Sequence, residues 1–98
     1  MELQDQAASN SAQGLIVQLI FARFLRIAGF RFHFYSDEGS EPPHIHVDAG
    51  DAECKFWLSP VALARNRGMS PVDIRKVERL VYEHQVLLLE KYDDFQSQ

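Results

Sequence analysis

The sequence predicts an α+β fold: a small, mainly antiparallel sheet of three to five strands, with one long C-terminal helix packed on one face. Two patterns carry this prediction. Apolar and polar side chains alternate with period two between residues 30 and 58, and apolar residues recur at helical spacing after residue 70. Because the chain has 98 residues and 46% of them are apolar, it is long enough to bury one core.

The strands are predicted from three segments, 30–35, 44–49 and 52–58, in which every second residue is apolar. Successive side chains of a strand point to opposite faces, so one face of each segment is expected to lie in the core. A loop rich in Ser, Glu and Pro separates the first two segments, and Gly50 with Asp51 fits a turn before the third. The residues predicted to face the core are Phe30, Phe32, Phe34, Ile45, Val47, Cys54, Phe56 and Leu58.

The C-terminal helix has a well-marked start. Ser70 is a typical N-cap, Pro71 suits the first helical position, and Asp73 is the acidic residue of a partial capping box. The helix is predicted to run to about Tyr92 and to cover the apolar face of the sheet. Its inward stripe consists of Ile74, Val77, Leu80, Val81, His84, Leu87 and Leu88.

The predicted organisation is a single domain over residues 22–95. Residues 1–21 are expected to be a flexible extension, because most of this segment is rich in Gln, Ser, Ala and Asn and has too little apolar content to pack. Residues 96–98 form a short C-terminal tail.

Composition narrows the class of protein. The net charge of −4 argues against a generally basic nucleic-acid binder but allows a local basic patch. The single cysteine cannot form an internal disulfide, which fits a reducing compartment. Charged residues interrupt the longest apolar run before it could cross a bilayer. We therefore expect a soluble, cytoplasmic protein.

A second set of side chains points away from the predicted core. Its histidines titrate near neutral pH and can ligate metals, its basic residues attract anions, and its tryptophan can stack. One interpretation is a catalytic or binding surface, and the other is an ordinary polar sheet face in contact with solvent. The set consists of Arg31, His33, Tyr35, His44, His46, Asp48, Lys55 and Trp57.

As a catalytic surface, this set predicts an enzyme that acts on RNA or another phosphate ester. His44 or His46 would be the general acid or base. The other residues predicted to be catalytic, which would stabilise charge or assist, are His33, Tyr35, Arg31 and Lys55. Whether the protein is an enzyme stays open at this point.

A metal centre is not predicted. His44 and His46 supply only two ligands, and a third would have to be His33 or Asp48. Glu53 falls late in the chain and on a different strand. Cys54 belongs to the inward set and is expected to be buried rather than reactive, so the sequence predicts no metal and no cofactor.

The segment 60–80 allows two interpretations. The spacing of Ala64, Gly68 and Ile74 is that of a helix-turn-helix, which would make the protein a DNA-binding regulator. The alternation in "PVALARN" favours a strand, a turn and a helix instead. The residues predicted to bind a protein partner or nucleic acid are Trp57, Arg65, Arg67, Arg75, Lys76 and Arg79.

Five pieces of the chain, "FYSDE", "PPHIHV", "KFWLSPV", "NRGMS" and "LLLEKY", together resemble the bacterial family called domain of unknown function 4160. The resemblance spans about Phe24 to Phe95, and Tyr92 stands where the family commonly has Trp. It implies a small uncharacterised protein of a toxin-antitoxin-like gene pair, with a small protein partner encoded by the neighbouring gene. The first hypothesis is therefore a protein-binding component of such a two-gene module, with the phosphate-ester enzyme and the DNA-binding regulator as alternatives.

Overall fold

The computed structural model describes residues 24–35 and 40–96. The predicted extension and the last two residues of the predicted tail lie outside the described residues. Within the described part, the chain forms five strands followed by two helices. They are β1 (Phe24–Ile27), β2 (Phe30–His33), β3 (His44–Ala49), β4 (Ala52–Leu58), β5 (Val61–Arg67), α1 (Pro71–Glu83) and α2 (Gln85–Gln96).

The strands form one antiparallel sheet in the order β1-β2-β3-β4-β5, so each strand pairs with the next one along the chain. The β1–β2 turn has positive φ at both Ala28 (54°) and Gly29 (87°), which matches the twist of the strands in a two-residue hairpin. Gly50, with φ of 61°, turns β3 into β4. The predicted antiparallel sheet is confirmed, at the upper limit of the predicted strand number.

The core lies on the apolar face of this sheet. Each residue predicted to face the core has at most 6% of its surface exposed. Helix α1 adds Val77 and Val81 to this core and α2 adds Leu88, all of them buried. Burying one large apolar side chain contributes about 1.5–3 kcal/mol, so this face supplies most of the stability.

Helix α1 begins where the sequence predicts. The Ser70 hydroxyl oxygen accepts a hydrogen bond from the backbone N–H of Asp73 at 3.1 Å, and Pro71 is the first helical residue. This bond satisfies one of the N–H groups that have no partner within the helix itself.

The prediction of one long helix is wrong. The first helix ends at Glu83, His84 leaves helical geometry with φ of −110° and ψ of 19°, and α2 begins at Gln85. A tertiary contact lies beside this break, where the Gln85 side chain donates a hydrogen bond to the backbone oxygen of Leu58 at 2.7 Å. This bond anchors the start of α2 at the end of β4.

Helix α2 lies across one end of the sheet. Its last residue, Gln96, donates a hydrogen bond to the backbone oxygen of Tyr35 at 3.1 Å, just beyond β2. Since α2 starts at the end of β4, it crosses the end of the sheet at which β2 and β4 finish and β3 begins. His44, the first residue of β3, lies at this end.

The segment 60–80 is not a helix-turn-helix. Residues 61–67 form the edge strand β5, and α1 is the only helix in this segment. The pairing of β5 with β4 shifts between Lys55 and Phe56, which leaves Ala64 as an extra residue in the ladder. The strand-turn-helix interpretation is therefore right. In the described ranges, no helix combines the length and apolar character needed to cross a membrane.

Candidate functional site

Three histidines from two strands meet on the polar face of the sheet. His33 on β2 pairs with His46 on β3, and His46 pairs with Lys55 on β4. His44 lies on the same face, opposite Trp57. We refer to the side chains of this region as the histidine cluster. It consists of Arg31, His33, Tyr35, Glu41, His44, His46, Asp48, Glu53, Lys55, Trp57 and Tyr92.

The centre of the histidine cluster is buried, although such a face is normally in contact with solvent. His33, His44 and His46 expose 5%, 2% and 2% of their surface, and Lys55 exposes 8%. Burial of polar and charged side chains costs free energy unless they find partners. The identity and positions of these partners therefore decide what the cluster can do.

Aromatic rings bury part of the histidine cluster. His33 stacks on His46 with ring centroids 5.6 Å apart, and the Tyr35 ring lies 4.4 Å from His46. Tyr92 reaches the cluster from α2, with its ring centroid 5.6 Å from that of His44. The position of α2 across the sheet end thus completes the cluster.

Asp48 is shared by two cationic or protonatable groups. It accepts a hydrogen bond from Arg31 Nη1 at 3.1 Å, and the same oxygen, Oδ2, lies 3.1 Å from His33 Nε2. The approach of His33 is close but not aligned as a hydrogen bond. Within the described ranges this buried nitrogen has no hydrogen-bond partner.

His44 is held in one tautomer by the backbone. Its Nδ1 lies 2.8 Å from the carbonyl oxygen of Pro42. A carbonyl oxygen can only accept, so Nδ1 is the donor and Nε2 is the basic nitrogen of the neutral ring. The Pro42 carbonyl therefore determines the tautomer of the neutral His44 ring.

Lys55 is paired twice within the cluster. Its ammonium group forms an ion pair with Glu41 and lies 5.0 Å from the centroid of the Trp57 ring. Carboxylate and aromatic partners of this kind offset the cost of burying a lysine. Trp57, predicted to bind a partner, is half-buried at this position.

Glu53 belongs to the cluster, although its late position in the chain, on a different strand, predicted otherwise. It lies directly opposite Asp48 in the β3–β4 pairing, and its Oε2 is 3.4 Å from His46 Nδ1. His33, Asp48 and Glu53 offer ligand atoms that all lie within 4.8 Å of one another. The turn at Gly50 could have revealed this, because it centres the hairpin between residues 50 and 51 and so pairs 48 with 53.

Cys54 lies behind the cluster, on the apolar face. It is 1% exposed, which confirms the predicted burial. Burial raises the pKa of its thiol to about 12, with further contributions from the nearby Glu53 and Asp48 carboxylates. Cys54 therefore stays protonated at neutral pH and takes no part in chemistry on the polar face.

The basic residues predicted to form one patch lie on two sides of the molecule. Arg65 and Arg67 are exposed on β5 and belong to the polar face, opposite Lys55 and Glu53. Helix α1 packs on the other face and carries three exposed basic residues, Arg75, Lys76 and Arg79. They line an open groove of about 630 Å³ that we refer to as the α1 groove. Its lining residues are Ala28, Phe30, Val72, Arg75, Lys76, Arg79, Leu80 and Glu83.

Comparisons with known proteins place the chain in a family. Neither the curated proteins nor the solved structures that were compared contain a match to it. The family described as "Domain of unknown function (DUF4160)" matches residues 29–93, which include every described strand except β1, all of α1 and most of α2. The match covers the whole histidine cluster and every lining residue of the α1 groove except Ala28, and the chain belongs to the DUF4160 family.

Proposed function

We propose that the protein is the partner-binding component of a toxin-antitoxin-like two-gene module, and that its α1 groove binds an acidic segment of the neighbouring gene's product. The observation that carries this proposal is the convergence of three predicted partner-binding residues, Arg75, Lys76 and Arg79, on one groove. Partner-binding grooves commonly combine an apolar floor with charged rims.

The floor of the groove is apolar and partly open. Phe30 contributes from β2, Leu80 from α1, and Val72 is 52% exposed beside them. An exposed apolar strip between a hairpin and a helix can bury the apolar side of a docked segment. Apolar contact of this kind favours a protein segment over a nucleic-acid backbone.

The charge of the rim determines the chemistry of the partner. Arg75 and Arg79 are one helical turn apart, and within the described residues neither they nor Lys76 form an ion pair. Glu83 is the one acidic side chain in the lining. The rim of the groove therefore carries three positive charges and one negative charge, which complements an acidic segment of a partner. This local charge is opposite in sign to the net charge of the whole chain, which is −4.

The test is an affinity measurement between the full-length protein and the neighbouring gene's product. Arg75→Glu with Arg79→Glu should weaken binding by about ten-fold or more, because it reverses the rim charge. The matched control, Arg65→Glu with Arg67→Glu, makes the same charge change on β5 and should leave binding within about two-fold.

Three outcomes would count against the groove. In the first, the two proteins form no complex at micromolar concentration. In the second, only the control pair weakens binding. In the third, the groove pair abolishes binding of an RNA or DNA oligonucleotide while the protein complex is unaffected, which would assign the basic rim to nucleic acid.

A second proposal is a reaction on RNA at the histidine cluster, favoured by the fixed tautomer of His44. With Nδ1 bonded to the Pro42 carbonyl, Nε2 takes the proton of a ribose 2′-hydroxyl as that oxygen attacks the phosphorus. The 5′-oxygen then leaves and receives a proton from water, which gives a cyclic phosphate. Arg31, with 39% of its side chain exposed, is the accessible cation for the phosphate.

RNA cleavage by the purified protein tests this reaction. His44→Gln should abolish cleavage and leave the fold intact, whereas His84→Gln, which changes the histidine between the two helices, should not affect it. Equal cleavage by His44→Gln and the unchanged protein, or none by the unchanged protein, would exclude the reaction.

A further inference from the structure

We propose that His33, Asp48 and Glu53 bind one divalent transition-metal ion on the polar face of the sheet. The proposal goes beyond both functions above and depends on neither, since ion binding requires no partner and no RNA. Its first basis is geometric. The ligand atoms of these residues lie within 4.8 Å of one another, and donor atoms around one ion are roughly 3–4 Å apart, so small side-chain rotations would close the site.

Two carboxylates share this position. Asp48 and Glu53 face each other directly across β3 and β4, and like charges in such pairs are destabilising. Arg31 forms an ion pair with Asp48, and Arg67 lies opposite Glu53 on β5. A divalent ion between the two carboxylates would neutralise both of them, and their side chains, 28% and 25% exposed, leave a path from solvent.

His33 provides the independent observation. Its side chain is 6% exposed and its Nε2 lies 3.1 Å from Asp48 Oδ2, yet this nitrogen has no hydrogen-bond partner among the described residues. A buried polar atom of this kind calls for an explanation, and an absent ion is one that the chemistry supports. A neutral ring with its lone pair on Nε2 would be repelled by the carboxylates, and a metal ion would turn that repulsion into coordination.

The ligand set indicates the class of ion. One imidazole nitrogen with two carboxylate oxygens suits Mn²⁺, Fe²⁺ or Zn²⁺, whereas Ca²⁺ prefers oxygen ligands alone. The thiol of Cys54 is buried on the opposite face, so the site has no sulfur ligand. His44 stays outside it, because it is not among the residues whose ligand atoms lie within 4.8 Å of one another. His46 flanks the site through its contact with Glu53.

The first test is calorimetric titration of the tag-free, EDTA-treated full-length protein with Mn²⁺. One equivalent should bind, and Asp48→Asn or Glu53→Gln should weaken binding by about ten-fold or more. The matched control is Asp51→Asn, which removes an exposed carboxylate from the adjacent turn and should bind Mn²⁺ normally. Absence of binding by the unchanged protein, or normal binding by both ligand variants, would overturn the proposal.

A second test needs no variant and so does not depend on variants folding. Paramagnetic Mn²⁺ broadens the NMR signals of nearby nuclei, so the ring signals of His33 and His46 should disappear at substoichiometric Mn²⁺. The ring of His84, between the two helices, should remain sharp. Simultaneous broadening of all histidine signals would identify adventitious binding, and a His33 ring that stays sharp would overturn the assignment of His33 as a ligand.

Discussion

The two faces of the sheet differ in how they are buried. On the apolar face, Phe32, Phe56 and Leu58 are fully buried beneath the helices. On the polar face, His33, His44 and Lys55 are nearly as buried, but against other polar groups and aromatic rings. Period-two alternation therefore determines which side a residue faces, and the chemistry of the neighbours determines what its burial costs.

The largest expected effect comes from truncating the apolar face. Phe56→Ala should lower the free energy of unfolding by about 3–5 kcal/mol, because it removes transfer free energy and leaves a cavity. Leu63→Ala is the matched control, since Leu63 lies opposite Phe56 on β5 but is 44% exposed. It should cost less than about 1 kcal/mol. Urea unfolding measures both, and equal losses would contradict the assignment of the core to this face.

Metal binding should give the next largest effect, on the polar face. At a Mn²⁺ concentration about one hundred times the dissociation constant, the free energy of unfolding should rise by about 2.7 kcal/mol. Glu53→Gln should cut this gain to about 1.4 kcal/mol or less, because binding that is about ten-fold weaker leaves Mn²⁺ at only about ten times the dissociation constant. Without metal, this variant should be no less stable than the unchanged protein, because it relieves the repulsion with Asp48. An equal gain in the variant would place the ion elsewhere.

A smaller effect is expected from the ion pair of Lys55 and Glu41. Glu41→Gln should destabilise the protein by about 1–3 kcal/mol, because it leaves a buried ammonium without its carboxylate. Lys55→Met removes the charge and keeps the apolar stem, so it should cost less than about 1 kcal/mol. Thermal unfolding of both variants measures which one destabilises the protein more. A larger loss for Lys55→Met than for Glu41→Gln would mean that the ion pair of Lys55 and Glu41 contributes net stability.

The apolar half of the fold could be predicted because local patterns determine it. Alternation identified the inward residues, and the cap at Ser70 located the start of α1. The helix break at His84 could not be predicted, because the apolar helical spacing continues through it. The bond beside the break, from Gln85 to the Leu58 oxygen, joins residues far apart in the chain.

The polar cluster was only partly predictable for a similar reason. The sequence identified all three histidines, Lys55 and Asp48 as residues of one face. It excluded Glu53 by its distance along the chain, although the hairpin pairs it with Asp48. The sequence also did not predict the contact of Tyr92 with His44, which forms because α2 crosses the end of the sheet.

Cys54 offers the smallest expected effect and separates the two faces most sharply. It lies one residue from Glu53 in the chain but points into the apolar core, and its thiol is protonated because burial raises its pKa to about 12. Iodoacetamide reacts with the thiolate, so the folded protein at neutral pH should show almost no alkylation, while the same protein in urea is alkylated readily. Mn²⁺ should affect this slow reaction only by stabilising the fold, since a soft thiol on the far face cannot contribute to the ion. Rapid alkylation of the folded protein that Mn²⁺ suppresses would place Cys54 on the polar face among the metal ligands, and would require a different pairing of β3 with β4.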